Sequence, residues 1–175
     1  MSKPRTAGSA VGNADPDCGD FVTIDHVHSY LHRGLSFVVT SVVPMTAGSN
    51  FYCALTPDGA EIHMAMLCSV SGNGITVTLS EAASITGGTP VAPINRDRGS
   101  SNTSTVAFVH TPTVNTLGNT LITFHLAAGV QSGTRERSTE EMVLKSNTTY
   151  LITITVDAGT AATFSGRMDW YEVHD

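Results

Sequence analysis

The residues best suited to chemistry are three histidines near the start of the chain, His26, His28 and His32. Two histidines at positions i and i+2 of a strand point to the same side, so His26 and His28 could share a metal ion. The paired histidines of cupin jelly rolls have this spacing, but the residues that follow here, Ser29 to Gly34, lack the Glu that those enzymes use. A cupin-like metal site is therefore one hypothesis, and histidines that lie on the surface or cap a turn are the other. Spacing alone selects no third ligand among His63, His110 and His125.

Other catalytic signatures are missing from the sequence. It contains no G-x-S-x-G motif, no P-loop, no G-x-G-x-x-G and no cysteine-rich metal cluster. Its cysteines, Cys18, Cys53 and Cys68, are odd in number and have no C-x-x-C spacing, which favours thiols in a reducing compartment over a disulfide framework. We therefore expect a protein that is not an enzyme and that needs no cofactor.

Two polar loops carry closely spaced arginines, one in segment 95–105 and the other in segment 129–139. Arginine beside an acidic residue, with many Ser, Thr and Asn donors around it, suits bidentate contacts across a wet protein interface. A solvated loop that contacts nothing is the alternative. The candidate contact residues in the two loops are Arg96, Asp97, Arg98, Asn102, Arg135, Glu136 and Arg137.

Trp170 and Tyr171 are adjacent aromatic residues that could form a platform for a sugar ring. Neighbouring residues of a strand face opposite sides, however, so the alternative places Trp170 in the core and Tyr171 outside or at an interface. Tyr171 therefore joins the candidate contact residues.

Period-two alternation of apolar residues predicts strands along most of the chain. Tyr150 to Val156 and Thr163 to Tyr171 are expected to form a hairpin across the short linker 157–162. A second hairpin is expected across the turn Ser71-Gly-Asn-Gly74, and Pro44 is expected to end the strand that starts at Leu35. About nine strands, with turn signals every 8 to 12 residues, predict an all-β, antiparallel β-sandwich with jelly-roll-like topology.

Length and composition are consistent with one such domain. The 175 residues include 14% charged residues and carry a formal net charge of −6, which gives no general attraction to nucleic acid. The sequence begins without the pattern of a signal peptide and has no apolar run long enough to span a membrane, so a soluble protein made in a cytoplasm is expected. Residues 1–19 are expected to form a flexible N-terminal arm, either disordered or ordered on a neighbouring subunit, and residues 20–175 the sandwich.

Four segments of the sequence stand out together. They are the start of HxxxH type followed by Leu35-Ser-Phe, the loop Asn95-Arg-Asp-Arg-Gly-Ser-Ser, the run from Arg137-Ser to Tyr150, and the end Met168-Asp-Trp-Tyr-Glu172. With these segments the chain resembles a family of tailed-bacteriophage structural proteins that are encoded near the major capsid gene. The resemblance spans about residues 25 to 173. The sequence departs from the family at Asp97, where the family loop is richer in Asn, and its first 24 residues have no counterpart in the family.

This resemblance implies a head decoration (cement) protein. Such a protein would sit on the outer surface of the virion after synthesis in the host bacterial cytoplasm. It would act as a homo-oligomer, a dimer or a trimer, that bridges neighbouring copies of the major capsid protein. Two alternatives remain at this point, a carbohydrate-binding tip domain of a fibre or spike and a cupin-like metalloprotein.

Overall fold

Two antiparallel sheets face each other in the computed structural model, which describes residues 12–14, 21–23, 26–128, 131–133 and 141–174. One short helix, α1 (His26–His32), follows two short strands. The strands are β1 (Gly12–Ala14), β2 (Phe21–Thr23), β3 (Ser36–Met45), β4 (Asn50–Thr56), β5 (Glu61–Gly72), β6 (Ile75–Glu81), β7 (Ser84–Thr86), β8 (Thr89–Pro90), β9 (Ile94–Asn95), β10 (Ala107–His110), β11 (Thr113–Thr116), β12 (Asn119–Leu126), β13 (Gln131–Gly133), β14 (Met142–Leu144), β15 (Tyr150–Val156) and β16 (Ala162–Val173).

The strand order is that of a jelly roll. Sheet I has the order β13-β5-β16-β3-β9, with β14 also paired to β5, and sheet II has the order β12-β6-β15-β4-β10-β8. Successive long strands alternate between the sheets: β3 and β5 lie in sheet I, whereas β4 and β6 lie in sheet II. The predicted antiparallel sandwich with jelly-roll-like topology is therefore confirmed.

The core lies between the two sheets and is built by the alternation that the sequence predicts. On β16 the inward side chains of Phe164, Met168 and Trp170 are at most 5% exposed, and on β15 Ile152 and Ile154 are buried opposite them. Each fully buried side chain of this size contributes roughly 1.5–3 kcal/mol relative to an exposed one. The two central strands are therefore the main support of the fold.

Both predicted hairpins are wrong, because each turn is an arch that carries the chain from one sheet to the other. β15 pairs with β4 and β6 in sheet II, whereas β16 pairs with β3 and β5 in sheet I. In the same way β5 and β6 belong to different sheets. A turn sequence marks the reversal of the chain but does not determine whether the next strand pairs with the last one or covers it.

Three arches lie together at one end of the sandwich, at residues 46–49, 73–74 and 157–161. The side-chain amide of Asn73 donates to the carbonyl oxygens of Asp157, Ala158 and Thr160 over 2.8, 3.3 and 3.2 Å. The backbone N–H of Gly48 reaches the carbonyl of Asp157 as well. The three connections thus support one another, and Asn73 joins two of them.

Pro44 does not end β3, contrary to expectation. β3 continues to Met45, and Pro44 is paired with Thr163 of β16 on one side. On its other side β3 pairs with β9 only at Phe37 and Val38. Pro44 is tolerated because its missing N–H falls on the side where β3 is unpaired among the described residues.

The helix α1 lies on the outer face of sheet I. The ring of Tyr30 stacks on that of Tyr171 at 4.7 Å, and the ring of His63 stacks on Tyr171 at 4.6 Å. Gly34, with a φ of +65°, ends the helix, and a Cβ at this position would collide with the side chain of Ser100. The helix end and the polar loop that contains Ser100 are therefore in close contact. No helix in the described part of the chain is long and apolar enough to cross a membrane.

Candidate interaction surface

The histidines near the N-terminus do not lie on a strand, so the geometry behind the predicted metal pair is wrong. His26 begins helix α1, so the strand spacing on which that pair was based does not apply. The structure pairs His28 with His32 instead, with their Nε2 atoms 2.8 Å apart on an exposed surface. The residues that the structure describes contain no group of three or more His, Cys, Asp or Glu side chains that could hold a metal ion.

Three other histidines lie on three different strands, and each has its own hydrogen-bond partners. His63 lies 2.7 Å from Glu141 and 2.9 Å from Glu61. The remaining contacts join His110 to Ser41 at 2.8 Å and His125 to Asp157 at 2.9 Å. Burial lowers the pKa of His110 below its ordinary value, so the neutral form is favoured there.

The aromatic pair is not an exposed platform. Trp170 points into the core, as expected from the alternation of side chains along a strand. Its indole N–H faces Ser104 and Glu172 at 3.3 Å each. Tyr171 points to the opposite face but is only 4% exposed, because Tyr30 of α1 covers it. Tyr171 therefore offers little surface for a partner or a sugar, and its role in the described structure is to hold the helix.

The polar loop that follows β9 is held in place by hydrogen bonds to the side chain of Asn95. The side chain of Asn95 is buried, and its amide donates to the carbonyl oxygens of Gly34 and Asn102 over 2.9 and 3.0 Å. Its side-chain oxygen accepts the backbone N–H of Asp97 at 2.9 Å. One buried side chain thus joins the end of the helix, the beginning of the loop and its far side.

The far end of the loop is held by Glu172, whose side chain is 1% exposed. Its carboxylate accepts hydrogen bonds from the hydroxyl of Ser104 at 2.6 Å and from the hydroxyl and backbone N–H of Thr105 at 3.0 Å each. His174 lies 3.6 Å away on the same strand end. Hydrogen bonds to an ionised acceptor are the stronger ones, so this carboxylate anchors the loop to β16.

Asp97 and Asn102 serve the loop itself. The carboxylate of Asp97 accepts the backbone N–H of Gly99 at 2.9 Å. The side-chain amide of Asn102 donates to the carbonyl oxygens of Arg33 and Gly34 over 3.2 and 3.4 Å. Local side-chain to backbone bonds of this kind stabilise turns. Both residues remain candidate contacts, but their polar atoms are partly engaged within the molecule.

Arg96 and Arg98 are the exposed cations of the loop. Arg96 donates to the hydroxyl of Ser36 at 3.4 Å, and its Nε lies 3.9 Å from the carboxylate of Asp169. Arg167 on the outer face of sheet I binds the same carboxylate at 2.7 Å. Arg98 makes one bond of 3.3 Å to the backbone carbonyl of Asn95. The structure therefore brings Arg96 and Arg167 to the same carboxylate, and both Arg96 and Arg98 are exposed.

Two further candidate regions lie wholly or mostly outside the residues that the structure describes. Arg135, Glu136 and Arg137 lie outside the described residues, as do residues 1–11 and 15–19 of the predicted arm. The described part of the arm is β1, which pairs with β2 outside it.

The residues that the sequence analysis missed are the ones that hold the loop, namely Asn95 and Glu172. A signal for Glu172 is present in the sequence, because it has the same parity as Met168 and Trp170 and so occupies an inward position of β16. A charged residue at an inward position requires hydrogen-bond partners. Nothing comparable in the sequence distinguishes Asn95 from its polar neighbours.

The described surface also has two grooves that are open to solvent. One, of about 340 Å³, is bordered by Gly59, Val143 and Lys145, and the other, of about 230 Å³, by Val42, Leu67 and Arg167. In the first groove Lys145 donates to Glu81 at 2.8 Å, and this hydrogen bond lowers the pKa of Glu81. The second groove lies on the outer face of sheet I beside Arg167.

Comparison with models of protein families finds no match to this chain. A search among curated proteins finds no similar sequence either.

Proposed function

We propose that this protein is a structural component of a tailed-phage virion that decorates the outside of the head and stabilises the shell. The proposal rests on the resemblance of the sequence to head decoration proteins. The observation on the structure that supports it best is the rigid polar loop after β9, which presents Arg96 and Arg98 on a jelly-roll body.

The loop suits protein binding because its conformation is already fixed in the unbound protein. Binding through a mobile loop loses about 0.5–1.5 kcal/mol for each side chain that must be immobilised. Here the buried side chains of Asn95 and Glu172 already hold both ends of the loop. The exposed arginines therefore lose less freedom than they would on an unsupported loop.

The charge of the loop indicates the chemistry of the partner surface. The guanidinium groups of Arg96 and Arg98 favour carboxylates, which they bind in bidentate fashion. The proposed partner is thus an acidic surface of the major capsid protein, and the chain acts there without nucleic acid or membrane.

The stabilising mechanism would be mass action. A protein that binds only the assembled shell lowers the free energy of that state by its own binding free energy, and the effect is repeated at each lattice site. An oligomer that contacts two neighbouring capsid subunits gains further from the high effective concentration of its second contact.

The test is co-sedimentation of the purified protein with undecorated phage heads. We expect saturable binding and an increase in the temperature at which the heads break open. Failure of the wild-type protein to sediment with the heads would refute the proposal.

Two variants locate the contact. Arg98→Glu reverses a charge on the loop and is expected to weaken head binding by at least tenfold. Lys145→Glu makes the same change on the opposite edge of sheet I, next to β14, and is expected to leave binding unchanged. Equal binding of both variants would exclude the loop as the contact.

A further inference from the structure

β3 is a long strand whose outer edge is mostly open. β9 pairs with it only at Phe37 and Val38, and no other strand in the described part of the chain pairs with residues 39–45 on that side. An unpaired edge presents a row of backbone donors and acceptors that can bind another strand.

The hydrogen bonds to β9 determine which residues of β3 face this open side. The N–H of Arg96 donates to the carbonyl of Ser36 at 2.8 Å, so Ser36 directs its backbone polar groups toward β9. Alternate residues of an antiparallel strand do the same. Thr40, Val42 and Pro44 therefore direct their backbone groups outward, and Pro44 supplies only a carbonyl.

This edge lacks most of the features that prevent natural edge strands from pairing. No charged residue occurs between Arg33 and Asp58, and β3 pairs with β16 over ten consecutive residues without a bulge. The other long edge strand, β12, has a register shift between Thr120 and Ile122, which disrupts its edge. Pro44 is the one blocking residue on β3, and it lies near the end of the strand.

The outer-face side chains along this edge are apolar or small. Val42 is 71% exposed, the largest exposure among the exposed large hydrophobic residues of the described part, and Thr40 and Pro44 are exposed on either side of it. Exposed β-branched residues on an unpaired edge are stabilised by a cross-strand neighbour of the same kind.

We propose that the open edge of β3 pairs with the same edge of a second copy of this chain, antiparallel and with the two-fold axis at Val42. In this register Val42 of each copy lies opposite Val42 of the other, and Thr40 lies opposite Pro44. The pair of valines exchanges two backbone hydrogen bonds, and each Thr40 N–H donates to a Pro44 carbonyl. The two copies of sheet I then form one continuous sheet.

Steric limits select this register. An axis at Ser41 would place Pro44 of one copy opposite Val38 of the other, where Ile94 already pairs. With the axis at Val42, the residue opposite Val38 is Thr46, which lies beyond the end of β3 in the arch. The absence of charge also favours a second copy, because like charges of an acidic chain would not meet along this edge.

The proposal is independent of the decoration function, since the pairing would occur in solution without a shell. The first test is sedimentation equilibrium of the full chain from about 1 µM to about 1 mM, a range that suits a small interface. We expect a reversible monomer–dimer equilibrium. A strictly monomeric protein over the whole range, or a trimer, would refute it, because a strand edge accepts one neighbour.

A matched pair of variants tests the location. Val42→Lys is expected to abolish the dimer by placing two cations opposite each other. Val143→Lys makes the same change at a residue that is 55% exposed on β14 of the same sheet and is expected to leave the dimer intact. A dimer that survives Val42→Lys would contradict the proposal.

A cysteine pair tests the register and does not depend on the stability of a lysine variant. Opposite residues of a hydrogen-bonded pair have Cα atoms about 5.5 Å apart, within the range of a disulfide. In a Cys18→Ser background, Val42→Cys is therefore expected to cross-link two chains on mild oxidation, and Thr40→Cys is not. Cross-linking of both or of neither would refute the axis at Val42.

Discussion

The hydroxyl of Ser104 donates a 2.6 Å hydrogen bond to the carboxylate of Glu172, and this bond fastens the polar loop to the last strand of sheet I. The two residues are 68 positions apart in the sequence. Because Glu172 is buried, its charge is stabilised by the loop, and the loop is in turn held by the charge.

Substitution of Glu172 by Ala is expected to lower the free energy of unfolding by about 3 kcal/mol, because it leaves the part-buried donors of Ser104 and Thr105 and the buried indole N–H of Trp170 without their acceptor. Urea unfolding followed by tryptophan fluorescence measures the change. Asp58→Asn is the control, since Asp58 is exposed, and should change stability by less than about 0.5 kcal/mol. A stable Glu172→Ala protein would show that the loop is held by other contacts.

Substitution of Asn73 by Ala is expected to cost about 1–3 kcal/mol, because its amide is the donor for carbonyl oxygens of the 157–161 arch. Hydrogen exchange should accelerate at this end of the sandwich more than around the polar loop. The matched change Asn119→Ala, at an exposed position of β12, should be nearly silent in both measurements. Uniform acceleration over the whole chain would contradict a local role of Asn73.

The protein should lose stability as the pH falls below about 6.5, the ordinary pKa of a histidine, and His110 should account for part of the loss. Its pKa is lowered by burial, so the unfolded chain binds the proton more readily than the folded one, and acidification favours unfolding. Above pH 6.5 His110 is neutral in both the folded and the unfolded chain, and it does not lower the free energy of unfolding. As the pH falls from 6.5 through the lowered pKa, the free energy of unfolding decreases.

Melting temperatures of the wild type and of His110→Gln between pH 8 and pH 5 provide the measurement. The variant should be less sensitive to pH over the upper part of this range. Identical pH profiles would mean that His110 is not the group responsible.

The thiol of Cys53 should not react in the folded protein. Its side chain is 2% exposed, and burial raises the pKa of the thiol far above its ordinary value, so the reactive thiolate is suppressed. Cys53 and Cys68 do not form a disulfide. In a Cys18→Ser variant a chromogenic thiol reagent should detect no fast thiol under native conditions and two thiols after unfolding. One rapid thiol in the native protein would contradict the packing described for the core.

The sequence predicted the strands of the core well, because burial on one side of a sheet imposes alternation directly on the chain. Tyr150, Ile152, Ile154 and Val156 all face inward, as expected from their parity. Loop 95–105 was expected on a surface from its polar composition alone, and it does lie there, although Asn95 within it is buried.

The strand partners could not be predicted in the same way. The turn Ser71-Gly-Asn-Gly74 has the composition of a hairpin turn, but Asn73 uses its side chain to bind another arch. A hairpin and an arch both reverse the chain, and both leave the alternation of the flanking strands unchanged. The choice depends on which strand fills the neighbouring place in the sheet, and here β15 and β16 are each enclosed by strands from elsewhere.

Composition and periodicity by themselves determined that this chain is an all-β sandwich, since alternating apolar residues must be covered by a second layer. Tertiary structure alone decided that Tyr171 is covered and that Glu172 holds a loop from the middle of the chain. The physical reason is the sequence separation of the residues that interact. Alternation is a local property of a strand, whereas burial of a particular polar or aromatic side chain depends on residues far away in the sequence that the fold brings to it.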